Sequence, residues 1–295
     1  MWSKSNVWLK LMPATLVMMI LFIGGMGYGW LQSLGLFAIG SPSQLSITAY
    51  ERILTSEDFW NSLVITLRVA VLSTLLSSGI GLGVALFLYI MDVRRQWKWL
   101  AFWRLTWQLP LLVPHMVAAY FMVVLFVQSG WVSRLLYTWG WIDQMDQFPI
   151  LIHDQFGWGI IMAYTWKEAP FVIMLLMPIL YRIHMEWFEV ARTHGASLTR
   201  YVFEVVMPLL LPALGIVAFI VFAYTFSAYE IPALLGVTYP KLLAVYGFEL
   251  YQSSVSADRQ AGLAVYLGMA FIVCFLGFGV YRSFRKWLMM YRKSW

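Results

Sequence analysis

Residues 181–212 read YRIHMEWFEVARTHGASLTRYVFEVVMPLLLP, a polar stretch with a glycine near its middle, set between two long apolar runs. Glu186 to Thr193 predicts a short amphipathic helix. Trp187, Phe188 and Ala191 can share one apolar face there, with Val190 beside it. Gly195 ends that helix by supplying a backbone conformation that a Cβ disfavours. Ser197 is then the N-cap of a second helix from near Leu198, carrying Tyr201, Val202 and Val205. Pro208 and Pro212 stand at the entry to the apolar run that follows. Two readings of this helix–glycine–helix stay open at this point: a docking site for a partner, or a hairpin lying on lipid headgroups.

Outward from this stretch the chain is dominated by apolar runs. Of 295 residues 61% are hydrophobic, 18% aromatic and only 12% charged, about half the charged fraction of an ordinary soluble domain. A helix needs roughly 20 apolar residues to cross the hydrocarbon core. Six runs qualify, at about 11–31, 62–90, 105–127, 157–180, 209–228 and 261–281. The expected fold class is an all-α membrane protein with about six transmembrane helices. Trp60, Trp131 and Trp158 fall near span ends, where amphipathic rings favour the headgroup zone.

Basic residues set the expected orientation. With the N-terminus inside, fourteen of the 20 Lys and Arg fall in inner segments, among them Arg94, Arg95, Lys98, Arg192, Arg200, Arg282 and Arg285. Only Arg52, Arg134, Lys241 and Arg259 fall outside, so both termini are expected to be cytoplasmic. The net charge of +6 is then a topology signal and gives no nucleic-acid face. The single cysteine, Cys274, excludes a disulfide framework. No phosphate-binding loop, HExxH or GxSxG occurs. His115, His153, His184 and His194 have no ligand spacing, so no metal, bound cofactor or catalytic residue is expected.

The residues of the polar stretch carry a resemblance. Glu189-Val190-Ala191, Gly195-Ala196-Ser197, then Met207-Pro208 and Pro212, resemble the EAA loop of binding-protein-dependent ABC transporter permeases. Val190 stands at the first Ala of that motif, and His194 where an Asp usually precedes the Gly. Supporting stretches are Phe59–Leu63, Leu109-Pro110 with Val113-Pro114, and Trp166 with Pro170-Phe171. The resemblance implies a type I ABC importer permease fold in a bacterial inner membrane. It divides the chain into an added first helix (1–55), a core with five spans (56–281) holding a coupling loop (182–207), and a basic tail (282–295). It implies that Glu189, Ala191, Gly195, Ala196, Ser197 and Pro208 serve a coupling helix seated in a cytoplasmic ABC ATPase dimer, where ATP-Mg is bound. It also implies a solute-binding protein outside, and a second, related permease subunit, a different chain ahead of a second copy of this one. Tyr229–Gly236 is similar to a stretch of the polyamine, sulfate and ferric-iron branch, which implies a small polar solute of the spermidine or putrescine kind.

Charges inside the spans are the remaining candidates. A charge at mid-bilayer is costly and normally faces the bundle interior, paired or wet. Lys167 and Glu168 lie near the middle of the fourth span, Arg68 in the second, and Glu230 at the outer end of the fifth. Two readings are held open. These residues line the translocation pathway, or Arg68 and Glu168 form a structural ion pair between spans two and four. The rival function is a secondary transporter driven by an ion gradient through Lys167 and Glu168.

Overall fold

A computed structural model describes residues 4–37, 44–93, 100–183 and 186–293. Arg94, Arg95, Lys98 and His184, named above, lie outside the described residues. Among those described, secondary structure is entirely helical. Six helical segments are long and apolar enough to cross a membrane: Lys10–Ser33, Glu57–Asp92, His115–Thr138, Trp158–Arg182, Leu198–Ser227 and Ser256–Arg285.

The elements in chain order are α1 (Lys4–Ser33), α2 (Thr48–Thr55), α3 (Glu57–Val93), α4 (Leu100–Leu112), α5 (His115–Phe126), α6 (Trp131–Thr138) and α7 (Trp158–Arg182). There follow α8 (Glu186–Thr193), α9 (Leu198–Tyr201), α10 (Met207–Ser227), α11 (Glu230–Leu235), α12 (Leu243–Gln252) and α13 (Ser256–Lys293). The chain divides into two compact units, Met1–Trp60 with Leu243–Phe271, and Asn61–Leu242 with Ile272–Trp295.

In the first unit, α1 leaves its apolar side chains from Leu11 to Leu31 exposed. Ser33 shares a 2.7 Å hydrogen bond with Tyr50. Arg52 pairs with Asp258 at 2.6 Å. Gly262 lets α13 approach α12 so closely that an added Cβ would stand 2.6 Å from the Gly247 carbonyl.

The second unit is built around α7, whose buried residues run from Gly159 to Leu180. One half of its core joins Tyr164, Ile160 and Ile161 to Ile65 and Val69 of α3, Ala119 of α5 and Ile231 of α11. The other half joins Val172, Leu176 and Leu180 to Ala85 and Tyr89 of α3 and to Leu210 and Val217 of α10. Small polar side chains of α3, Ser62, Thr66, Ser73 and Ser77, are buried beside these apolar ones. Small side chains let membrane helices approach until dispersion forces hold them, since lipid tails give no hydrophobic drive for helix pairing.

The expected third span, 105–127, is not one helix. It breaks at Val113-Pro114 into α4 and α5, with Pro114 extended at ψ 147° as the N-cap of α5. Proline has no N–H and its ring clashes with the preceding turn, so the helix stops there and restarts. The fifth span begins earlier than expected. Upstream of α10, residues Val202–Val206 form a π turn in which the Met207 N–H donates to the Val202 carbonyl. The widened turn comes directly before Pro208, which has no N–H to give to the ladder.

Candidate functional site

The polar stretch forms the helix–glycine–helix expected of it. Gly195 takes φ +81°, in the left-handed region. The Gly195 and Ala196 N–H groups close the end of α8 on the carbonyls of Arg192 (2.9 Å) and Ala191 (3.0 Å), a glycine-terminated C-cap. Ser197 Oγ accepts the Arg200 N–H at 3.2 Å and caps α9. Glu189 is exposed and reaches Arg192 at 3.3 Å. Pro208 opens α10.

The apolar residues of α8 do not share one face. Phe188 and Ala191 pack inward against the core, while Trp187 and Val190 stand exposed. Position 188 lies about 100° around the helix from 187, so one turns toward the protein as the other turns away. Below the loop, Phe188 meets the Tyr201 ring at 5.4 Å. Tyr201 shares a 3.3 Å hydrogen bond with Tyr89 of α3, whose hydroxyl also reaches the Ile183 carbonyl. The loop is thereby tied to α3 and to the end of α7, and its outer side is left bare.

The intramembrane charges resolve into separate places. Lys167 and Glu168 are both buried. The Lys167 ammonium donates to the backbone carbonyls of Pro110 (2.8 Å) and Val113 (2.6 Å), at the break between α4 and α5. The Glu168 carboxylate faces His115 Nε2 at 3.5 Å. His115 lies 5.0 Å from the Tyr224 ring of α10. These three side chains, with Lys167, Leu111, Phe171, Ile220 and Val221, line a cavity of about 260 Å³.

The anticipated Arg68–Glu168 pair is not formed. The Arg68 guanidinium lies over the Phe156 ring at 4.9 Å, where a cation is held by the ring's negative face. Glu230 is exposed at the first turn of α11, where a carboxylate suits the positive end of the helix dipole. Of the four charges, Lys167 and Glu168 line one cavity, and Glu230 lies near enough to His115 and Tyr224 to act on both electrostatically. His115 and Tyr224 were not read from the sequence as partners of Glu168. The one signal was a histidine immediately after Pro114, since groups freed at a helix break are satisfied only where protein or water surrounds them. No cluster of ligands suited to a metal ion occurs among the described residues.

Comparison with known proteins gives consistent matches. A family model described as binding-protein-dependent transport system inner membrane component matches residues 77–289. The probable starch degradation products transport system permease protein AmyD of Thermoanaerobacterium thermosulfurigenes is 22% identical over 269 residues, covering 86% of this chain and 85% of that one. The sulfate transport system permease protein CysT of Salmonella typhimurium is 27% identical over 194 residues, covering 65% of this chain and 64% of that one. Among solved structures, a bacterial alginate ABC transporter, in complex with a periplasmic protein carrying an alginate pentasaccharide, has a chain of the same fold. Its TM-score is 0.77 at 17% identity, with 95% of this chain and 94% of that chain covered. The fold is therefore that of ABC importer permeases. Nothing in these matches supports a carrier driven by an ion gradient.

Proposed function

The chain belongs to the binding-protein-dependent transport system inner membrane components, and on that footing we propose that it forms half of the solute pathway of an ATP-driven importer. As such a component it is a permease subunit and not itself an enzyme. Residues 186–208 couple it to a cytoplasmic ABC ATPase dimer that binds ATP-Mg. One observation carries this reading: α8 presents Trp187, Glu189 and Val190 outward while Phe188, Tyr201 and Tyr89 anchor its underside. A helix bare on one side and tied on the other can pass a push from a docked protein into α3 and α7. A hairpin resting on lipid would need no such tie.

The remaining parts follow from the same architecture. A second permease, different from this chain, completes the pathway, and a periplasmic solute-binding protein delivers cargo, as the alginate neighbour's binding protein supports. Both termini lie in the cytoplasm, on the distribution of basic residues.

The cavity between α5, α7 and α10 is the pathway element on this chain. Glu168 offers a carboxylate, His115 and Tyr224 can each give or take a hydrogen bond, and Phe171 supplies an apolar wall. That set suits a small polar solute bearing amines or hydroxyls, with a polyamine at the amine end of the range.

The test is purification of the full chain with whatever binds it. An ATPase should co-purify, and should be lost when Glu189→Lys and Gly195→Pro are introduced together; retention of the ATPase by that variant would overturn the coupling role. For the pathway, Glu168→Gln should keep the ATPase bound and lower uptake. A hydrogen bond to a charged group is worth about 1.5–3 kcal/mol, so the loss should be roughly tenfold to hundredfold. Labelled putrescine, maltose and sulfate serve as the probes, in cells carrying the whole transporter.

A further inference from the structure

The break between α4 and α5 leaves identifiable carbonyls without helical donors. In a continuous helix the Pro110 carbonyl would accept from the N–H of residue 114, and that residue is proline. It receives only a long 3.3 Å bond from the Val113 N–H. The Val113 carbonyl precedes the first turn of α5, whose first ladder bond runs from Ala118 to Pro114. In an apolar surrounding these groups need a donor from elsewhere.

Lys167 supplies it to both, at 2.8 and 2.6 Å, from the helix across the gap. Its positive charge also lies at the C-terminal end of α4, where the helix dipole is negative. The next residue of α7, Glu168, faces His115, which is the first residue of α5. One turn of α7 therefore holds both sides of the break: Lys167 takes its carbonyls, and Glu168 meets the side chain that the restarted helix delivers.

We infer that Lys167 is a positioning residue, which stands in for the N–H missing at Pro114, sets the bend between α4 and α5, and so presents His115 to Glu168, rather than a ligand for the solute. The consequence for transport rests on the reading of Glu168 as part of the pathway; the bend itself does not.

The experiment therefore reads the bend without transport. In the full chain in lipid nanodiscs, with Cys274→Ser, spin labels are placed at the exposed positions of Leu105→Cys on α4 and Tyr120→Cys on α5. Lys167→Met should shift or broaden the inter-label distance by several ångströms, and Lys167→Arg, which keeps charged donors, should recover much of it. In a Pro114→Ala background, where the carbonyls regain helical donors, adding Lys167→Met should change nothing further. An unchanged distance in K167M, or an equal shift in the P114A background, would overturn the inference. So would a shift of the same size in Glu168→Gln, which leaves the Lys167 contacts in place. If K167M alone gives no folded protein, the K167M/P114A chain must; its continued failure counts against the inference.

Discussion

Glycine is required at 195 by backbone conformation and not by lack of space. Its φ is +81°, yet an added Cβ would meet no atom within 4 Å. Alanine there keeps the space and loses the freedom, at a cost of about 1–2 kcal/mol for a left-handed residue with a side chain. Gly195→Ala should therefore lower the amount of ATPase recovered with the chain several-fold while leaving its yield in the membrane unchanged. Gly195→Asn should do less harm, because asparagine enters that region more readily. Equal loss in both would show that the site responds to side-chain bulk and not to φ. Lys167 and Glu168 show how far adjacent residues can diverge: one reaches backbone at a helix break, the other a histidine beside a cavity. Both were legible as anomalies, being charges in an apolar run. Which partner each one takes was not, because His115 and Tyr224 come from helices remote in sequence.

Among the elements of the second unit, α3 and α7 approach closely at Gly81. An added Cβ at Gly81 would lie 2.6 Å from the Val172 Cβ and 2.9 Å from the Ala169 carbonyl. Neither neighbour can swing aside, since one is a branched side chain on a buried helix and the other is backbone. Gly81→Val should destabilise the chain by about 1–3 kcal/mol or more. Its thermal unfolding, followed by tryptophan fluorescence in detergent, should move several degrees lower. Gly79, with nothing within 4 Å of an added Cβ, is the control: Gly79→Ala should leave the transition where it is. The π turn at Val202–Val206 and the break at Pro114 belong to this scale too. Prolines marked both places in the sequence, but a proline alone does not say whether a helix bends, widens or stops.

For the whole molecule, the prediction concerns sidedness. If the basic residues orient the chain as proposed, a fluorescent protein fused after Trp295 should mature and fluoresce, and alkaline phosphatase at the same point should be inactive. A second fusion within the segment between α6 and α7 should give the opposite pair of results. The reverse pattern at both points would invert the topology and place α8 on the face away from ATP. The number of spans and the helical class needed no tertiary information, since six apolar runs of sufficient length have few alternatives in a membrane.

What the amino-acid order determined by itself was local or compositional: helices where apolar runs are long, a cap at Ser197, a left-handed turn at Gly195, and charges too costly to be accidental at 167 and 168. These follow from backbone preferences and from the energy of transfer into lipid, both properties of short stretches. Tertiary structure decided which side of α8 stays bare, that Lys167 serves a broken helix, and that His115, Glu168 and Tyr224 meet at one cavity. Those outcomes depend on packing between separate helices, at 167 and 168 with segments more than 50 residues away, and no local preference encodes the angle at which two helices cross.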